Sequence, residues 1–239
     1  MTKSQRFSRS LFFLLLALST IAGTLIFSAS ISKTRQEAQS LKACANPDLL
    51  SQSGQFNPQE NQAIWLGQTV NPPLREYAQS EEASLLARAQ VLGQTSFEKW
   101  IDVDLESQRV RAYEGDKVVY EFLTSSGKFA PTPTGEYEIW YKTKYTKMEG
   151  GERGTNRYYY LPNVPFTMFF NGPFGLHGTY WHNNFGQPMS HGCLNLSIAN
   201  AEKLFYWAGP VLPEGESAVR SSSDNPGTKV IVHGTTPRT

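Results

Sequence analysis

Ser190-His191-Gly192-Cys193-Leu194-Asn195 is the stretch on which the reading of this chain turns, and His177-Gly178 lies a short way upstream of it. A cysteine attacks as its thiolate, so it becomes chemically useful when a histidine within reach can take the proton. Gly192 fits that use. It can adopt backbone angles closed to other residues, and it puts no side chain in the path to the sulfur. The same six residues also fit a buried structural cysteine in a tight turn, because free cysteine is among the most buried residue types. The wider chain decides between these readings.

Just after the motif, Ser197 is a candidate N-cap, and Ile198, Ala201, Leu204, Phe205 and Ala208 fall on one helical face. Gly209-Pro210 supplies the stop. Lys229-Val230-Ile231-Val232-His233 reads as a closing strand. Upstream, from Phe97 on, Trp100, Val103 and Leu105 mark one short apolar segment, and Val110, Ala112 and Tyr113 a second. Glu114-Gly115-Asp116 then turns the chain into Val118–Leu123, and Gly135 to Tyr145 continues the pattern. Closely spaced strands with short turns predict a mainly antiparallel β domain. Met148 to Gly154 reads as a flexible loop by composition.

The N-terminal part is different. Lys3, Arg6 and Arg9 precede an apolar run from Leu11 to Phe27, extendable to Ile31. Seventeen helical residues span about 25 Å, slightly short of the roughly 30 Å hydrocarbon core, and twenty-one would suffice, at about 1.5 Å each. Residues 1–31 are therefore read as a signal peptide or a transmembrane anchor, with the rest extracytoplasmic. Residues 32–96 read as a linker. Its first part, to about 73, is rich in Gln, Asn, Ser and Pro; a short amphipathic helix is expected within 74–93. Hydrophobic residues make up 39% of the chain, enough for a real core, and the net charge of +1 offers no basic footprint for nucleic acid. Of the two cysteines, Cys44 is read as a linker residue; a bridge to Cys193 would consume the nucleophile.

These pieces, in this order, resemble the L,D-transpeptidase catalytic domain, or YkuD domain. The resemblance rests on Ser190–Asn195 after His177-Gly178, on Lys99–Leu105 followed by Gln108–Tyr113, and on Thr132-Pro133-Thr134-Gly135-Glu136-Tyr137. It covers about 97–234, the expected catalytic domain, and implies a mainly β, sandwich-like fold with one short helix after the cysteine. It also implies a peptidoglycan L,D-transpeptidase, a cysteine acyltransferase. Cys193 would attack the third-residue carbonyl of a stem tetrapeptide, release D-alanine and pass the acyl group from a thioester to an amine. That amine would belong to a second stem peptide or a wall-attached protein. Water as acceptor would make an L,D-carboxypeptidase, and loss of chemistry a silent wall-binding module. A papain-like protease is disfavoured because its histidine lies downstream of the cysteine.

His177 is the expected general base and acid, its reference pKa near 6.5 suiting both roles. By resemblance, the Gly178 carbonyl orients it, and Ser190 and His191 support the nucleophile's loop. The Gly192 and Cys193 backbone N–H groups are candidate oxyanion donors. Ser190, Asn195, Trp181 and Tyr160 are expected to meet substrate, with Tyr158, Tyr159, Phe169 and Phe170 as further wall candidates; ordinary core packing is the reading for at least half of the residues in Tyr158–Tyr160 and Phe169–Phe170. Trp181, Asn183, Asn184 and Phe185 are expected to line the loop between base and nucleophile. For Asn195 a loop hydrogen bond is an equal alternative. His182 with His177, His191 and Cys193 could form a zinc set, but the spacing matches no usual motif, and neither metal nor cofactor is expected. The expected partners are peptidoglycan stem peptides and, through the N-terminal segment, the membrane, with no nucleic acid.

Overall fold

The computed structural model describes residues 49–91 and 98–237. The apolar segment before residue 32 and Cys44 lie outside the described residues. Among those that are described, no helix is long and apolar enough to cross a membrane. A 3₁₀ turn at Leu49–Ser51 precedes the hairpin of β1 (Ala63–Trp65) and β2 (Gln68–Val70), and α1 (Glu81–Val91) follows. The strands β3 (Lys99–Asp104), β4 (Arg109–Glu114), β5 (Lys117–Leu123), β6 (Gly135–Glu138), β7 (Tyr141–Gly150), β8 (Tyr159–Asn171), β9 (Phe174–Gly178) and β10 (Leu194–Leu196) come next. They are followed by α2 (Ile198–Trp207), β11 (Ala218–Arg220) and β12 (Lys229–His233).

The strands make two sheets. One runs β5-β4-β3-β12-β6; the other runs β10-β9-β8-β1-β2, with β7 also paired to β8 and β11 to β7. Most pairings are antiparallel, as expected, but β12 lies parallel to β3 and β10 parallel to β9. The sheets hold a shared core. Ile101 and Val103 of β3, Val110 and Ala112 of β4, and Val230 and Val232 of β12 alternate inward. They join Phe166, Met168 and Phe170 of β8 and Ala201, Leu204 and Phe205 of α2. Each large side chain fully buried this way contributes roughly 1.5–3 kcal/mol. Phe169, between Met168 and Phe170, points the other way into a second cluster with Trp65, Met148, Tyr159 and Leu161. The fold is thus the mainly β, two-sheet domain with a short helix after Cys193 that the sequence predicts.

The helix α2 starts where its cap predicts: Ser197 accepts the Asn200 N–H. Its far end is buried, so its last carbonyls need donors. Lys142, itself fully buried, reaches from β7 to donate to the carbonyls of Phe205 and Ala208. Burial pushes the Lys142 amine down to about 7.

One local expectation is met within narrower bounds and two change. The helix expected within 74–93 starts only at Glu81, because Ser80 caps it by accepting the Ala83 N–H, while the Ser80 N–H is held by Glu202 on α2. Met148–Gly150 are the end of β7, and Met148 is buried, so the flexible loop is shorter than its composition suggested. The stretch before residue 73, read as spacer, is packed onto the domain from Leu49 on. Asn57 exchanges two hydrogen bonds with the Asn163 side chain, Glu60 accepts the Tyr160 hydroxyl, and Leu49 and Trp65 are buried. The Tyr77 N–H donates to the Tyr145 hydroxyl.

Candidate active site

His177 ends up beside Cys193 because β9 and β10 run parallel, with Leu176 opposite Leu194 and His177 opposite Asn195. Cys193 is the residue just before β10. Its side chain is buried, 3% exposed. A narrow cavity of ≈ 20 Å³, about the room one water needs, is lined by both side chains together with Trp65, Trp181, Ser190, His191 and Asn195.

His177 is almost fully buried, and its Nδ1 lies 3.1 Å from the Gly178 carbonyl. A carbonyl only accepts, so in the neutral ring Nδ1 carries the proton and Nε2 the lone pair. That tautomer suits a general base, and it requires no carboxylate. The Cys193 thiol has the Pro173 carbonyl within 3.8 Å.

The loop before the cysteine is stitched down from several directions. The Ser190 carbonyl accepts the N–H groups of Lys128 and Phe129, and the N–H groups of Met189 and Ser190 reach the Ser126 carbonyl. Ser126 is in turn gripped by the buried Gln108 side chain, which accepts the Ser126 N–H and donates to its hydroxyl. Ser190 donates from its hydroxyl to the Cys193 carbonyl and accepts the Gly192 N–H at 3.0 Å. Gly192 has φ +113°, and a Cβ there would sit 2.5 Å from Phe174 and 3.0 Å from the Pro131 carbonyl. Only glycine fits.

The structure brings His177, Gly178, Ser190, His191, Trp181 and Asn195 together around Cys193. Two assignments change. The Gly192 N–H is committed to Ser190, so in this arrangement it does not face the cleft as an oxyanion donor. Tyr160 is not at the cleft either: strand alternation turns it to Glu60, 2.7 Å away, whereas its neighbours Tyr159 and Leu161 line the cavity. Of the other wall candidates, Tyr158 donates to Glu149, and Phe169 and Phe170 pack in the two cores.

His191 sits among rings, 4.7 Å from Tyr159, 4.8 Å from Phe129 and 5.7 Å from Trp65 between centroids. Burial pushes it down to about 4, against a hydrogen bond to the Arg157 backbone. It is therefore neutral at neutral pH and supports the loop by packing, not by lending the thiolate a positive charge. His182 is also held at about 4, first by burial and then by the neighbouring His177. It joins no ligand set: its ring contacts Asn195 at 2.8 Å, and no group of three or more His, Cys, Asp or Glu among the described residues could hold a metal ion.

Trp65, like Met148 and Leu161, is a cavity residue that sequence reasoning missed. The β1–β2 turn is Leu66-Gly67, both at positive φ (53° and 74°), the backbone of a tight hairpin. That hairpin lays the Trp65 ring 5.8 Å from Trp181 and 6.1 Å from His182. A Leu-Gly turn between two three-residue strands was the only local signal.

The model of the L,D-transpeptidase catalytic domain family matches residues 98–232. Among solved structures, an L,D-transpeptidase from Mycobacterium smegmatis is 22% identical, with 58% of this chain and 59% of that chain covered and a TM-score of 0.46. An L,D-transpeptidase from Stackebrandtia nassauensis is 21% identical, over 66% and 67% of the two chains, with a TM-score of 0.41. The catalytic domain of an E. faecium L,D-transpeptidase, acylated by ertapenem, is 27% identical over 57% of this chain and 98% of its own, with a TM-score of 0.42. The chain thus spans about 59% of the length of the M. smegmatis protein. No curated protein matches.

Proposed function

This chain belongs to the L,D-transpeptidase catalytic domain family, and from that premise we propose that it is a peptidoglycan L,D-transpeptidase with Cys193 as nucleophile and His177 as base. One observation carries the residue roles: His177, its Nδ1 held by the Gly178 carbonyl, lines the same narrow cavity as the Cys193 thiol. Pure binding would need neither the thiol nor this tautomer, which argues against a silent wall module.

His177 Nε2 takes the Cys193 proton, and the thiolate adds to the third-residue carbonyl of a stem tetrapeptide. As the tetrahedral adduct collapses, the C–N bond to the terminal D-alanine breaks. The leaving amine takes the proton back from His177, and the acyl group stays as a thioester. An acceptor amine then adds to the thioester, gives a proton to His177 and forms the new C–N bond as the C–S bond breaks. The proton returns to sulfur. The acceptor is a second stem peptide or a wall-attached protein, and the apolar run at Leu11–Phe27 would keep the enzyme outside the cytoplasm at the membrane.

The test is product analysis by mass spectrometry after incubation with a purified tetrapeptide, with and without an amine acceptor. D-Alanine release with a cross-linked product supports transfer. D-Alanine release with tripeptide alone, even with acceptor present, would make the protein an L,D-carboxypeptidase.

A further inference from the structure

Asn195 raises a question of orientation. Its side chain is 1% exposed, Nδ2 lies 2.8 Å from His182 Nε2, and Oδ1 is buried without a hydrogen-bond partner among the described residues. His182 Nδ1 meanwhile accepts the Asn184 backbone N–H at 3.2 Å. A backbone N–H can only donate, so Nδ1 holds the lone pair and the neutral ring carries its proton on Nε2. With Nδ2 on that side, two donors face each other across 2.8 Å while an acceptor is buried alone. A protonated ring would leave the clash in place. Half a turn of the amide, whose oxygen and nitrogen are nearly the same in shape, removes both conflicts. Oδ1 accepts Nε2–H, and the amide N–H₂ takes the side where Oδ1 had no partner.

Asn195 stands opposite His177 on the parallel pair β9–β10 and lines the same space as Cys193. A buried amide donor left without a protein acceptor is costly, so it fits best where a ligand oxygen completes it. We propose that His182 is a positioning residue whose Nε2–H fixes the Asn195 amide, so that Asn195 Nδ2 donates to a carbonyl oxygen of the bound acyl donor. This rests on the acyl-transfer reading of the same cavity and adds to it a role for His182. The pair is assembled by one turn of chain: Trp181-His182-Asn183-Asn184 loops back so that its own backbone N–H sets the tautomer.

Two measurements test it on the full chain. Ring ¹⁵N NMR of the wild-type protein should show His182 neutral with its proton on Nε2; a proton on Nδ1 overturns the proposal without any variant. The second is the rate of Cys193 acylation by a stem tetrapeptide, read by intact mass in His182→Phe, His182→Gln, Asn195→Ala and the double variant His182→Phe/Asn195→Ala. His182→Phe and Asn195→Ala should each lower acylation kcat/KM about tenfold or more, the scale of one lost buried hydrogen bond. His182→Gln, whose amide can donate from the place of Nε2, should recover most of the loss seen in His182→Phe. The double variant should be no slower than Asn195→Ala, because both changes remove one interaction. Wild-type acylation in folded His182→Phe, or a double variant as slow as the product of the two single effects, contradicts the proposal. Should wild-type protein form no acyl-enzyme at all, the acyl-transfer reading fails, and the tautomer still decides the His182–Asn195 contact by itself.

Discussion

At Cys193 the chemistry depends on which of two nearby histidines is basic. The Gly178 carbonyl holds the Nδ1 of His177, which leaves Nε2 as the basic atom of its neutral ring, whereas His191 is packed between rings and held at about 4. His177→Gln should therefore slow acylation by about 10²–10⁴-fold, the usual range for a lost general base. His191→Gln should act mildly, through the loop. Acylation rates of the two variants across pH check this: a near-normal His177→Gln together with a crippled His191→Gln would move the base to His191. The thiol, the histidine and Gly178 are legible in the sequence because each is a distinctive residue type in a motif. Tyr160 is misread by one position, since composition identifies an aromatic strand but not which alternate side chains face the cleft. The Gly192 N–H is misread because its partner, the Ser190 hydroxyl, competes for it from inside the same turn.

At the scale of elements, the hairpin β1–β2 brings Trp65 to the wall of the cavity that holds Cys193, itself 3% exposed. Trp65→Ala should speed alkylation of Cys193 by iodoacetamide, and should lower stability by about 3–5 kcal/mol, as for other large-to-small changes at buried tryptophan. An unchanged alkylation rate in the folded variant would mean that the hairpin does not control access. The strands β3 to β5, the helix α2 and the closing β12 are legible because alternation, capping and a Gly-Pro stop are local signals. The hairpin is not. Its strands are three residues long, and what holds the preceding segment in place lies far along the chain, Asn57 on Asn163 and Glu60 on Tyr160. Polar composition reads as a spacer when the partners that order it are about a hundred residues away.

For the molecule as a whole, the two depressed histidines tie stability to pH. His182 and His191 titrate at about 4 when folded but near 6.5 in a free chain, so between those values the unfolded state binds more protons. Their contribution is present above about 6.5 and is lost as pH falls towards 4. Urea unfolding at a series of pH values should show stability declining across that window, and less steeply in His182→Gln. A flat profile from 6.5 to 4 would mean that neither ring is buried as described. The central claim, that Cys193 carries the acyl group, is tested most directly by the intact mass of the full chain after exposure to a carbapenem, a β-lactam whose ring opens on a nucleophilic thiol. Wild-type protein and Cys44→Ala should each gain the mass of one carbapenem, and Cys193→Ala none; a Cys193→Ala protein that still gains that mass, or a folded Cys44→Ala that does not, would contradict it.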